Sequence, residues 1–456
     1  MKVLIATHFF PPNHPGGTEA YTLGLARMLR RKGHASAVIC AEDWGKGDSW
    51  HPRAVDDEYE GIPVRRLYWN WQLAPNPFVQ LYDHPAVNDR LARFLQQSQP
   101  DVVHVTSCYT LGAGIIRVAR HAGLPVVLTL TDFWFLCPRH TLLRGDGTLC
   151  SGPADAVTCL SCLGQGARVY RTATRLFPPA VVARGLLLAD HLAGVNRFPG
   201  LRGYVGDAMR RLSYLRAVFD EVDVALAPSR FLLETFVRHG FPPERLRYSP
   251  YGLDLSWLDT AGQTENGGHL RFGYIGQIDP LKGVDIVVRA FRAAGVADRA
   301  ELRIHGDLTK NPRYAALLRQ IAAGEPAISF RGPFERAEIA GVYAGIDVLI
   351  VPSVWYENTP IVIAEAFAAG KPVIATNLGG MSEVVRPGVN GLLFERGDVG
   401  GLARAIRQLT DDPALLERLR RGIEPVRTIE AEVEDLLDLY ARLVAGRDAR
   451  VSSGRV

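Results

Sequence analysis

Short runs of β-branched and apolar residues alternate with helix-patterned segments in two successive series along this chain. That alternation restricts its architecture more than any other feature, because strand–helix–strand rhythm is the mark of parallel sheets covered by helices. In the first series, strands are expected at 2–6, 36–40, 64–67, 101–105, 125–130 and 223–227, with a helix over 19–32. The second begins at "LRFGYIGQ" and continues through "ELRIHG", "AISFRG", "DVLIVPS", "KPVIAT" and "GLLFERG". At 456 residues the chain exceeds one ordinary core. Two doubly wound α/β domains are therefore expected, 1–250 and 251–425, with a C-terminal helix over 426–447 packing back on the first. The polar, glycine-rich stretch 260–269 reads as surface loop near the joint.

With 47% hydrophobic and 22% charged residues, the chain has ample apolar surface to bury. A net charge of +4 is small for this length, so nothing points to a nucleic-acid partner. The apolar run that opens the chain is short and is followed by proline and polar residues, so it reads as a strand rather than a secretory signal. The longest candidate for a spanning helix, 339–355, is broken by Asp347 and Pro352. These features lead to the expectation of a cytoplasmic protein, in which disulfides are rare and cysteine spacing calls for another explanation.

Two segments interrupt the first domain. Residues 132–166 are turn-rich and carry Cys137, Cys150, Cys159 and Cys162 in a C-x12-C-x8-C-x2-C pattern. Four thiolates could fold such a loop around a structural Zn²⁺, with unliganded reduced cysteines and an iron–sulfur cluster as the alternatives. Cys40 and Cys108 read as packed core residues. Residues 167–220 are helical and hold nine arginines against three aspartates, including Arg168, Arg171, Arg175, Arg184, Arg210 and Arg211. Interleaved with Tyr170, Leu176 and Phe177, they describe either a solvated subdomain or a peripheral contact with an anionic membrane at its inner face.

Ligands of open α/β sheets collect outside the carboxyl ends of the strands. In "YIGQIDPLKG", Gly276 stands at a strand end, and Lys282 with Gly283 opens the next helix, an arrangement suited to a phosphate. In "YENTPIVIAEAFAAGKPVIAT", Thr359 is expected to cap a helix starting at Pro360, and the N–H groups around Asn358 and Thr359 offer a second anion site. Two such ends imply a diphosphate. That helix is apolar on every side, yet Glu365 lies in its middle and Glu357 stands just before it. A buried carboxylate needs a partner, and paired hydroxyls of a ribose or a sugar would serve. The alternative is an arginine bound to Glu365.

These motifs resemble the retaining glycosyltransferases of family 4. "YENTPIVIAEAFAAGKPVIATNLGGMSEVV" carries their E-x7-E pattern and "GQIDPLKG" their glycine-to-lysine turn, while "PGGTEAYTLGLARMLRRKGHASAVI", "APSRFL" and "SPYGLDLSWL" extend the likeness over most of the chain. The resemblance implies a GT-B fold, a nucleotide-diphosphate sugar donor held mainly by the second domain, and a glycan or lipid-linked acceptor, as in cell-envelope polysaccharide synthesis. It implies that Lys282 holds the diphosphate, Glu365 the ribose and Glu357 the sugar hydroxyls. It further implies that Gly16 and Gly17 let backbone approach the donor, and that transfer retains anomeric configuration.

Two positions depart from the pattern. Gln277 replaces a commoner arginine, and Thr131 stands where many relatives have histidine, which shifts attention to Asp132. No Asp-x-Asp pair occurs, so no catalytic metal is expected and leaving-group charge falls to Lys282 and helix amides. A nucleotide-sugar epimerase and a non-catalytic nucleotide-sugar binding protein are the alternative functions.

Overall fold

The computed structural model describes the chain except residues 15, 44, 154, 190–203, 259–267 and 453–456. Most of the expected loop 260–269 and part of the arginine-rich insert therefore lie outside the described residues. The chain divides into two compact units. One comprises Met1–Pro228, Leu232–Pro250 and everything from Glu430 onward; the other comprises Ser229–Phe231 and Tyr251–Ile429.

The first unit is built on eight strands: β1 Lys2–Thr7, β2 Ala35–Asp43, β3 Arg53–Tyr59, β4 Ile62–Tyr68, β5 Val102–Val105, β6 Val126–Thr129, β7 Val224–Ala227 and β8 Leu246–Tyr248. Their spatial order is β3-β4-β2-β1-β5-β6-β7-β8. All neighbours are parallel except β3 and β4. Strands β5 and β6 are buried at every residue, as a sheet covered on both faces requires.

β3 and β8 are absent from the sequence expectation. β3 has the composition of a loop, "RAVDDEY", and is held as a strand by its partners: Arg65 donates to both carboxylate oxygens of Asp56, and Arg66 to Asp57, across the antiparallel pair. The helix Ile429–Ser452 belongs to this unit. Tyr440 Oη lies 2.5 Å from His104 Nδ1 on β5, and Tyr21 donates to Glu432 at 2.9 Å.

The second unit carries β9 Leu270–Ile275, β10 Ala300–His305, β11 Ile328–Gly332, β12 Val348–Val351, β13 Val373–Thr376 and β14 Gly391–Phe394. They form one parallel sheet in the order β11-β10-β9-β12-β13-β14. Successive residues serve opposite faces. Phe272, Tyr274, Val348 and Ile350 pack with Val287, Phe291 and Leu402 on one side, whereas Ile275, Leu349 and Val351 pack with Tyr343, Ile363 and Phe367 on the other. The chain winds outward from β9 to β11, then returns to place β12 on the opposite flank of β9. Winding reverses between β9 and β12, the position at which open α/β sheets form a ligand crevice beyond their strand ends.

Candidate active site

Beyond β9, Gly276 adopts φ 155° and the chain runs into a short 3₁₀ turn, Pro280–Lys282, capped by Asp279, whose carboxylate accepts from the Leu281 N–H at 2.9 Å. Gly283 follows at φ 70° and opens the helix Val284–Ala294. A β-carbon at Gly283 would stand 2.2 Å from the Pro352 carbonyl oxygen, so glycine is required both for the left-handed backbone and for the close approach to the end of β12. The Val354 N–H then donates to Leu281 O, tying the two crossover loops together.

That approach brings Lys282 to Glu357. Lys282 Nζ donates to Glu357 Oε1 at 2.6 Å and lies 5.3 Å from the Trp355 ring centre. The same oxygen accepts from Ser353 Oγ at 2.7 Å and Trp355 Nε1 at 2.9 Å. Three donors thus converge on Oε1, and no described residue donates to Oε2. A carboxylate held this way is fixed in orientation and able to accept further hydrogen bonds.

The helix behind it spans Ile361–Ala368, and its N-cap is Pro360 in an extended conformation with no side-chain cap. The helix therefore starts one residue later than expected, with Pro360 rather than Thr359 in the N-cap position. Asn358 is buried, and its Oδ1 accepts from Ser229 Oγ at 2.8 Å. At the other end Gly370, at φ 68°, stops the helix as expected.

Glu365 is 4% exposed, and each of its carboxylate oxygens accepts one hydrogen bond from protein. Arg336 Nη1 donates to Oε1 at 2.5 Å and Tyr343 Oη to Oε2 at 3.0 Å. Burial and the adjacent carboxylate push the Tyr343 hydroxyl well above its ordinary pKa, so it remains a donor. Arg336 is an outer partner, since more than half its side chain is exposed. Each Glu365 oxygen keeps a second lone pair for a hydroxyl.

Two glycines complete this crevice, and sequence reading assigned neither a role. Gly379 adopts φ 55°, and the Gly380 N–H donates to Glu357 O at 3.0 Å. A β-carbon at Gly380 would fall 1.5 Å from the Asn358 carbonyl oxygen. The Gly-Gly dipeptide was the available signal. Ser353, Trp355, Arg336 and Tyr343 were also missed, because nothing in linear spacing pairs them with either glutamate.

The first unit holds the remaining candidates. Gly16 is the extended N-cap of the helix Gly17–Arg31. A β-carbon on it would meet Glu19 Oε2 at 2.3 Å, and Glu19 in turn pairs with His8 Nε2 at 3.1 Å. Asp132 Oδ1 accepts from the Trp134 N–H at 2.8 Å, and Thr131 Oγ1 donates to Thr106 O at 3.2 Å. His140 is held at φ 50°, with its ring 5.2 Å from that of Tyr109, which lies 6.0 Å from the His8 ring. Burial depresses the His140 pKa, partly offset by the Asp132 carboxylate. His8 Nδ1 and His140 Nδ1 are buried without a partner among the described residues. Both histidines escaped sequence analysis; His8 directly follows β1, a placement that could have found it.

Lys282 and Glu357 are in contact within the second unit, where Glu365 also lies, and Gly16 and Asp132 lie in the first. Gln277 is exposed beyond β9, its carbonyl accepting from Tyr274 Oη at 2.6 Å.

Residues 16–252 match the family described as glycosyl transferase 4-like domain, and residues 269–412 match glycosyl transferases group 1. The chain belongs to the group 1, 4-like glycosyltransferases. Along its whole length this glycosyltransferase is 26% identical to a GDP-mannose-dependent alpha-mannosyltransferase of Mycolicibacterium smegmatis, covering 99% of this chain and 100% of that protein. It is 30% identical over 228 residues to a D-inositol 3-phosphate glycosyltransferase of Thermomonospora curvata, covering 44% of this chain and 52% of that protein.

Its two parallel-sheet units are those of the GT-B fold. HepE of Anabaena, solved in complex with UDP and glucose, superposes with a TM-score of 0.60 at 19% identity, covering 97% of this chain and 99% of that one. Sucrose-phosphate synthase from Thermosynechococcus elongatus gives 0.63 at 17% identity, covering 98% and 99%.

Proposed function

We propose that this enzyme is a retaining glycosyltransferase that moves a sugar from a nucleotide-diphosphate sugar to a glycan or lipid-linked acceptor, in the synthesis of cell-envelope polysaccharide. The observation that carries this reading is the Lys282–Glu357 contact beyond β9 and β12 at the reversal of winding, with Glu357 Oε2 left open to a ligand. A donor diphosphate would take Lys282 and the amides at the start of the helix Ile361–Ala368, which stabilise the charge that develops as the phosphate leaves. The sequence has no Asp-x-Asp pair, so the reading gives that work to these groups. Glu357 would then accept from the hydroxyls of the transferred sugar, and Glu365 from the ribose. Gly16 and Gly17 would admit the substrate to the first unit, with Asp132 beside them in role.

The GDP-mannose dependence of the Mycolicibacterium smegmatis relative supports a nucleotide-sugar donor, and the UDP complexes of HepE agree with it. A lipid-borne acceptor is supported by the insert, where Leu176, Phe177, Val181 and Leu188 are exposed on a segment that also carries Arg171, Arg175 and Arg184.

The test is a panel of nucleotide sugars, read first as thermal stabilisation and then as radiolabel transfer to lipid extracts and to soluble glycans. A ligand present at a hundred times its Kd stabilises by about 2.7 kcal/mol, which a melting curve resolves easily. One donor should stabilise and label a product whose anomeric configuration matches the donor. Isomerised donor would replace this reading with an epimerase, and binding without turnover would replace it with a binding protein.

A further inference from the structure

The four cysteines of the segment 132–166 have no role in that chemistry as proposed, and the construction of the segment asks for another explanation. Between β6 and the helix Ala156–Gly164 the chain has no regular strand or helix among the described residues, only turns and a single bridge between Leu143 and Leu149. It nevertheless holds two non-glycine residues in left-handed conformation, His140 and Leu142, both at φ 50°, at a cost of order 1–3 kcal/mol each. The apolar cluster beneath the following helix is small, with Leu160 and Ala183 as its buried members. Phe133, Trp134, Leu136, Leu142 and Leu143 are buried within the loop, but no strand or helix fixes the chain between them, and a bound metal would supply that staple.

We propose that Cys137, Cys150, Cys159 and Cys162 bind a structural Zn²⁺ as four thiolates. All four line one pocket, although they come from three separate pieces of chain. Cys159 and Cys162 are one turn apart on the same face of the helix Ala156–Gly164. Cys137 closes the turn in which its N–H donates to Phe133 O, and Cys150 follows the Leu143–Leu149 bridge, its thiol donating to Gly152 O at 3.1 Å. All four are partly accessible rather than sealed in the core, unlike Cys40 and Cys108.

Charge around the pocket fits the product of binding. Zn²⁺ with four thiolates carries a net charge of −2, and two arginines, Arg139 and Arg144, line the same pocket with no acid among its lining residues. Arg144 Nε is buried there without a partner among the described residues, a donor awaiting an acceptor such as a zinc-bound sulfur. Among the described residues no three His, Cys, Asp or Glu side chains are gathered closely enough to hold a metal, so the proposal requires the four thiols lining this pocket to turn toward one another when the ion binds. Four S–H bonds break, their protons leave to solvent, four Zn–S bonds form, and no electron is transferred.

Metal analysis of the full-length protein, purified through a chelator wash, tests this without any variant. About one zinc per chain is expected, with Zn–S distances of about 2.3 Å by X-ray absorption. Cobalt substitution should give the absorption of a tetrahedral four-sulfur site. In the folded protein the four thiols should resist iodoacetamide until a mercurial releases the zinc. The double variant Cys159→Ser/Cys162→Ser should lose zinc and become sensitive to protease within 132–166. Zinc below about a tenth of an equivalent with rapid alkylation of these thiols, disulfides joining them, acid-labile sulfide with iron, or undiminished zinc in the double variant would each overturn the assignment.

Discussion

Replacing Gly380 by alanine offers a sharp test of the second unit's crevice, because the constraint there is backbone against backbone. The added carbon would lie 1.5 Å from the Asn358 carbonyl oxygen, whereas real β-carbons essentially never approach a heavy atom within 3.0 Å. No side-chain rotation can relieve such a contact, so the loop carrying Glu357 and Asn358 must retreat by more than an ångström. The Gly380 N–H to Glu357 O bond at 3.0 Å would stretch or break with it. Overpacking of this kind costs about 1–3 kcal/mol, a loss of a few degrees in Tm for a unit this size. Displacing a group that touches substrate by about 1 Å can cost on the order of 100-fold in rate. The variant should therefore remain folded by circular dichroism, melt slightly lower, and lose roughly two orders of magnitude in kcat/KM for the donor. Turnover within about twofold of the parent, alongside the expected drop in Tm, would refute the placement of Glu357 at the reacting sugar.

Glu365→Ala should weaken donor binding by about 10- to 100-fold in calorimetry, the worth of one or two charge-assisted hydrogen bonds, whereas Arg336→Ala should change it little because that partner is largely exposed. Equal losses in both would mean that the pair is structural. In the first unit, complete burial depresses His104 to about 3 and His84 is lowered to about 4, chiefly by burial. Both pKa values fall on folding, so the unfolded chain takes up the protons first and stability declines as pH drops below about 6.5, by at most about 1.4 kcal/mol per pH unit for each histidine. Melting from pH 7.5 to 5 should show that decline, made shallower by His104→Gln; a flat profile would contradict it. Vesicles containing anionic lipid should sediment with the protein in low salt, and Arg175→Glu/Arg184→Glu should abolish this; equal binding to neutral vesicles would exclude the electrostatic part of the contact.

Legibility from sequence followed the locality of the forces involved. Every strand of the second unit was readable, since runs such as "VLIV" and "VIAT" are buried along their whole length and carry their own signal. β3 was not, because its acidic residues become strand only through arginines on the neighbouring strand. Lys282 and Glu357 could be named from the turns that present them, but not their convergence on one oxygen with Ser353 and Trp355. That convergence depends on two strands adjacent in space and about 75 residues apart in sequence. Arg211 was grouped with surface arginines, yet it is 2% exposed, stacks on the Trp134 ring and donates to Trp134 O. Its burial arises from where the insert folds back, which no local pattern announces.

The antiparallel strand β3 has a further consequence. A sheet with open edges offers unpaired backbone groups to any other extended chain, and long parallel sheets are slow to form and exposed while they do. Here one margin of the eight-stranded sheet ends in "RAVDDEY", with Glu58 turned to solvent, and the other ends in β8, three residues long. One margin repels an incoming strand by its charge, and the other gives it too little length to grip. The chain can thus reach the concentrations a working enzyme needs without its largest sheet templating an aggregate.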